Sequence, residues 1–360
     1  MEPGPWGQLE YYYTFLMPPD ELVELVSIPS EQTEWHFFGL TLPQIDALIG
    51  NAGVTPLQHS AIMDPARIIS DGLHHRIFPP AEAVRSLSPA VRANIYRILG
   101  QWELNRFHHR PFRIGDTNVT RWFEGSDLTI EQLHVIADLA YGDGSTGYFF
   151  SDLPYLLRHS DGSMEEKNVV RSLSRVRTLM LRLCLSEHSN LADIAGYWTK
   201  GRRFKTILPI LESVQRTPGV DKLDVAHLLP PTPRKHLFTF PSRSEGLGGR
   251  YPDWFWTCTN FFQFVPTSVF ADDAATGAVL EDAYLPVEPP LQFGDLIVAR
   301  RPGDGVLLHG CVHIAGGIVY TKSGPNAFEP WVLLHLRDAL APFSRGTSVE
   351  LTAWRRRDSL

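Results

Sequence analysis

Two side chains in the C-terminal third of this chain could do covalent chemistry together. Cys258 lies in the aromatic stretch Pro252-Asp253-Trp254-Phe255-Trp256-Thr257-Cys258-Thr259-Asn260-Phe261-Phe262, and His309 opens His309-Gly310-Cys311-Val312-His313. A thiolate attacks an amide or ester carbonyl, and a nearby imidazole handles the proton. The acyl-enzyme that results is resolved by water or another acceptor. Cys258 is the candidate nucleophile and His309 the candidate base, with Tyr320 or Lys322 as the third group beside the imidazole. Tyr320 could orient the ring by a hydrogen bond, whereas a lysine there would depress its pKa. Trp254, Trp256 and Asn260, on the cysteine's own segment, are the candidate substrate contacts. The same residues allow a different chemistry. His309, Cys311 and His313 alternate along one stretch and could chelate an ion, although no acidic ligand accompanies them.

The elements that must position these groups are readable in outline. Asp253 is a good N-cap for a helix running from Trp254 to about Phe264 and stopping before Pro266. Trp254, Cys258, Phe261 and Phe262 share one face of it. Phe293–Ala299 reads as a strand introduced by Gly294-Asp295, and Trp331–Leu336 as another, followed by a short helix from Arg337. Between them, 305–322 reads as a hairpin turning at Gly316-Gly317. Pairing Ala315 with Ile318 and counting back sets Cys311 opposite Lys322 and His313 opposite Tyr320. That register puts His309, Cys311, His313, Tyr320 and Lys322 on one face.

The remainder of the chain carries structure rather than recognisable chemistry. Tyr11–Leu16 is an apolar run that periodicity cannot assign to strand or helix. Helices are expected over 42–49 and 89–99, the second capped by Ser88, and from a capping box at Thr129-Ile130-Glu131-Gln132. A second box at Ser163–Glu166 predicts a long helix burying Val169, Val170, Leu173, Val176, Met180 and Leu183, and Phe204–Val214 predicts another interrupted by Pro209. The His74-His75 and His108-His109 pairs are poor chelates because sequence neighbours diverge. There is no phosphate-binding glycine loop, nucleophile elbow or zinc-protease helix.

The 360 residues divide on this reading into a mainly helical domain (1–229), a Pro- then Gly-rich connector (230–251) and an α+β domain (252–360). A net charge of −7 argues against nucleic acid as a partner, and Arg355-Arg356-Arg357 and Lys200–Arg203 read as solvated surface. Three cysteines make no disulfide framework and fit a reducing, cytoplasmic setting. No leader or membrane-spanning run is visible, so no membrane partner is expected. No cofactor is called for. The expected partner is a small peptide or amide substrate, or a protein met through the helical domain.

The order of a cysteine-bearing aromatic helix, a Gly294-Asp295-Leu296 strand and a histidine strand before a Gly-containing hairpin resembles the NlpC/P60 type of papain-like domain. The resemblance covers about residues 250 to 340. It implies a helix packed on an antiparallel sheet, a Cys–His pair, and substrates with γ-glutamyl or peptide bonds, or lipid esters. Against activity stands the position of Cys258, more than one turn inside its helix, where the helix dipole no longer assists ionisation. Trp254 occupies the first turn on the same face, and the Asp-Cys or Asn-Cys beginning is absent. The corresponding alternative is a non-catalytic binding protein on a degenerate papain-like fold.

Overall fold

The computed structural model describes residues 1–26, 33–142, 147–157, 163–200, 202–245, 251–267, 273–322, 324–343 and 348–357. The strands in chain order are β1 (Gln8–Leu16), β2 (Trp35–Phe38), β3 (Ile68–Asp71), β4 (His74–Ile77), β5 (Phe112–Ile114), β6 (Tyr148–Phe150), β7 (Val176–Cys184) and β8 (Lys222–Asp224). They continue with β9 (Tyr284–Pro286), β10 (Leu296–Arg300), β11 (Leu307–Ala315), β12 (Ile318–Lys322), β13 (Trp331–His335) and β14 (Glu350–Arg356). Helices and antiparallel sheets make a mixed α+β protein. It forms two compact units, one of residues 1–16 with 176–360 and one of residues 17–175.

This division replaces the expected boundary over 230–251, whose two flanks lie in the same unit. The proline run is no connector. Pro231–His236 is a helix with Thr232, Pro233 and His236 buried, and His236 Nδ1 lies 2.9 Å from Thr232 O. The glycine-rich 246–250 stretch lies outside the described residues. The helix begun at Ser163 stops at Leu173, and Val176 to Cys184 form β7 instead. In β7, Leu179, Leu181 and Leu183 are buried at every second position. Val176, Met180 and Leu183 share one helical face, whereas in a strand Leu183 points opposite to Val176 and Met180, so pairing overrides the apolar spacing. β1 runs antiparallel to β7 over its whole length, from Gln8↔Cys184 to Leu16↔Val176.

In the first unit, sheet order is β1-β7-β8 and β13-β12-β11-β10-β14-β9. The Trp254–Thr259 helix packs on β11 and β12. It is shorter than expected, ending at Asn260 rather than near Phe264. Its start is as the sequence dictates: Asp253 Oδ1 accepts from Trp256 N at 2.9 Å. Trp254 lies against Gly310, where an added Cβ would stand 2.3 Å from the indole. Gly310→Ala is therefore expected to destabilise by about 1–3 kcal/mol through overpacking, read as a lower urea midpoint. An unchanged midpoint would mean that the indole does not sit on the strand.

A buried ion pair ties β14 to the start of β10. Arg355 donates from Nε and Nη2 to Asp295 at 2.8 and 2.7 Å, and Asp295 also accepts from Gln292 N. Arg355 is thus not the solvated residue that a run of arginines suggests. Two sheets meet at one hydroxyl: Thr178 Oγ1 on β7 donates to Leu333 O and accepts from Leu333 N on β13, both at 3.1 Å.

In the second unit, β2-β4-β3 and β5-β6 are small sheets among short helices. Capping boxes at Thr41, Thr55 and Thr129 start three of these helices. The interior is unexpectedly polar. Arg92, 0% exposed, donates to the carbonyls of Val84, Leu87 and Asp138. Tyr96 donates to the buried Asp152 at 2.7 Å.

Candidate functional site

Cys258 is where the sequence puts it, on the aromatic helix and facing the sheet. It is 2% exposed and belongs to the main core, which also holds Phe261, Leu296, Val312 and Tyr320. Burial, helped by the neighbouring Cys311 and Asp253, raises its thiol well above the ordinary range. The position of the residue in the helix explains why nothing opposes this. Trp254 is the first helical residue, so Cys258 lies a turn beyond the amides that would stabilise a thiolate.

His309 is on the opposite face of β11. Strand parity places it with Cys311, and Cys311 belongs to a separate small core with Ile297, Val319 and Ala339. Gly310, between them, presents its Cα to Trp254 on the helix side. Among the described residues no hydrogen bond joins Cys258 to His309, and the two cannot act as a pair without refolding the strand. His309 Nε2 is 3.0 Å from Thr321 Oγ1, and its ring stacks on Phe343 at 4.9 Å. Thr321 also donates to Gly310 O at 3.0 Å. With its proton committed there, the hydroxyl accepts from Nε2–H, which leaves Nδ1 a buried lone pair without a partner among the described residues. Burial lowers the imidazole to about 4. A neutral ring stacked on a phenyl and held by a threonine is a packed core histidine.

Tyr320 and Lys322 also leave the expected face, for a single reason. β11 carries a bulge: Ala315 pairs with Ile318 and His313 with Val319, so Ile314 has no counterpart. One inserted residue reverses every side chain of β12 relative to β11 beyond it. Val312 then opposes Tyr320, which faces Cys258 and Phe261 rather than His309. Thr321 takes the place beside the histidine that sequence counting gave to Tyr320 or Lys322. Lys322 is fully buried and donates to Gly324 O at 2.5 Å and Asn326 O at 2.9 Å. Burial pulls its ammonium down to about 8, against the opposing pull of Glu329 and Asp253. It holds a loop, not a catalytic base.

The expected substrate contacts are structural. Asn260 is 0% exposed and clamps Thr267, accepting from its amide at 2.7 Å and donating to its carbonyl at 3.1 Å. Trp256 packs among His236 and Trp331, whose indole nitrogen donates to Thr257 at 2.9 Å. Trp254 is buried against β11.

The metal alternative does not assemble either. His313 has a carbonyl at each ring nitrogen, Gln292 O 3.1 Å from Nδ1 and Gly316 O 2.9 Å from Nε2, and its neutral ring donates to one of them. Burial lowers its pKa, and the two carbonyls partly offset this. Cys311 Sγ lies 3.9 Å from Ile297 O, and burial pushes its thiol up. Among the described residues no three His, Cys, Asp or Glu side chains converge on a point that could hold an ion. Histidine pairing does occur elsewhere, and not between sequence neighbours. His36 Nδ1 and His74 Nε2 are 3.1 Å apart with nearly parallel rings, the geometry of one N–H···N bond rather than a chelate.

Comparison with known proteins adds no relative. No family model matches the chain, and neither a curated protein nor a solved structure resembles it significantly. Function must therefore be argued from the chain's own residues. Among the described residues, no helix is long and apolar enough to cross a membrane.

Sequence reasoning missed Thr321, Phe343 and Arg355. The first would have followed from a correct register, and Ile314 carries no glycine or other local sign of a bulge. The other two meet their partners only through the tertiary fold, and nothing local marks them.

Proposed function

We propose that this chain is a non-catalytic binding protein, built on a papain-like scaffold of the NlpC/P60 type in which Trp254 fills the nucleophile's turn. The observation that carries this reading is the separation of Cys258 and His309 to opposite faces of β11. A helix packed on β11 and β12, followed in the chain by the antiparallel order β10-β11-β12-β13, fits the scaffold. The Trp254 indole lies on Gly310 and 6.4 Å from the His309 ring, occupying space next to the histidine strand. Where a hydrolase needs an ionisable thiol and a titrating imidazole in contact, this chain has a high-pKa thiol and a neutral ring apart.

Thiol labelling tests the reading. With iodoacetamide at pH 8 and mass spectrometry, Cys184, the partly exposed cysteine, is expected to react first. Cys258 and Cys311 are expected to react only at the rate of unfolding. Rapid native labelling of Cys258, slowed by His309→Ala, would establish the hydrolase instead.

A further inference from the structure

If the chain binds rather than cuts, some surface must do the binding, and β1 offers one. It is an edge strand: its sheet runs β1-β7-β8. Leu185 N, on the odd register of β7, bonds towards β8 at Asp221 O. The odd residues of β1 opposite it therefore turn their amides away from β7. The carbonyl of Leu9 agrees, accepting from the Met1 nitrogen at 3.0 Å on the outer edge. That contact covers Leu9 alone. The outward N–H and C=O groups of Tyr11 and Tyr13 have no partner among the described residues. These are hydrogen-bonding groups in strand geometry, the template on which an extended peptide adds itself to a sheet.

The side chains beside this edge define its preference. Tyr11 and Tyr13 are 39% and 41% exposed and lie on the core side of the sheet, at its rim. Both rings meet His335 edge-on, at 4.9 and 6.4 Å. The Arg177 guanidinium lies 4.7 Å from the Tyr13 ring centre, and Arg337 stands near enough to the Tyr13 hydroxyl to oppose the rise that burial gives its pKa. Arg337 has 80% of its side chain exposed. Among the described residues two guanidiniums flank the edge, one of them, Arg337, in an exposed ion pair with Asp338 at 3.7 Å, while burial lowers the pKa of the His335 imidazole and keeps it neutral. The rim is aromatic and carries one more guanidinium than carboxylate, on a chain whose net charge is −7. A second copy of the chain would bring arginine against arginine, so like charges oppose self-pairing.

We infer that the open edge of β1 docks an extended peptide with acidic side chains at alternate positions, its backbone pairing with Tyr11 and Tyr13 and its carboxylates meeting Arg177 and Arg337. This rests on the binding-protein reading and names the partner that reading leaves open.

The test uses the full chain and fluorescein-labelled Val-Glu-Val-Glu-Val-Glu-Val, read by anisotropy, with the Val-Lys version and oligo-dT as controls. The acidic peptide is expected to bind at least tenfold more tightly than either control. Arg337→Glu, on an exposed side chain, is expected to weaken it at least fivefold. Tyr13→Pro removes one outward donor without touching the ladder to β7, and is expected to abolish binding. The amides of Tyr11 and Tyr13 are expected to exchange freely in the protein alone and slow when peptide is added. Equal binding of both peptides, tighter binding of oligo-dT, or a concentration-dependent dimer that protects these amides would each overturn the inference. Thiol labelling on the same sample separates the two failures. No peptide binding with Cys258 unreactive sinks the edge alone, whereas a reactive Cys258 sinks the binding-protein reading.

Discussion

Arg355→Ala is expected to lower folding stability by about 3–5 kcal/mol, the usual cost of stranding a buried charge. Asp295 is 1% exposed, and both its oxygens are used: Nε and Nη2 of Arg355 reach one each, and Gln292 N adds a third bond. Removing the guanidinium leaves a carboxylate that water cannot reach. Arg355→Lys should recover only part of the loss, because an ammonium cannot match the two parallel bonds. Replacing both partners by apolar residues should cost less than replacing either, since no charge is then orphaned. Urea titration of the two single variants and the double variant measures all three. If Arg355→Ala costs under 1 kcal/mol, β14 is not anchored through this pair.

Asp152→Asn is expected to change how stability depends on pH. Asp152 is buried, bonded through one oxygen to the Tyr96 hydroxyl, and its other oxygen has no partner among the described residues. Burial raises its carboxyl from 3.8 to about 6, opposed by Tyr96 and Arg92. Below 3.8 both folded and unfolded chains hold the proton, and the group contributes no difference. Between 3.8 and 6 the unfolded chain loses the proton while the folded chain keeps it, so stability falls as pH rises. Above 6 the full penalty applies, about 3 kcal/mol for a shift of this size. Asparagine removes the titration. The variant should therefore gain on the wild type between pH 4.5 and 7.5, by up to that amount, in urea midpoints taken at each pH. Parallel curves would show that Asp152 is not held in this way.

How much of this was legible in the sequence follows from the range over which each feature is decided. Caps were readable because they are local: Asp253, Ser88 and Thr129 each hold amides within three residues of themselves. The strand at Leu296 and the hairpin turn at Gly316-Gly317 were readable for the same reason. The candidate site failed at one residue. A bulge at Ile314, unmarked by composition, reverses β12, and the polar face assembled by counting dissolves into two cores. The Ser163 helix overran because Val176, Met180 and Leu183 continue its apolar face, and only β1, far away in the chain, selects the strand. The same distance hid the unit boundaries, since a break in composition at the prolines is easier to see than a return of the chain to its own beginning.

That return constrains the order in which the molecule can be made. β1 leaves the ribosome well before its partner, whose residues begin at Val176, after the whole of 17–175 has been synthesised. Residues 17–175 contain all the strands of their own sheets and can close while translation continues. During that interval the tyrosine strand is unpaired along both edges, so this is when the nascent chain is most open to wrong partners. Slowing elongation before residue 176 should lengthen that exposure and increase dependence on chaperones, while leaving the finished fold unchanged.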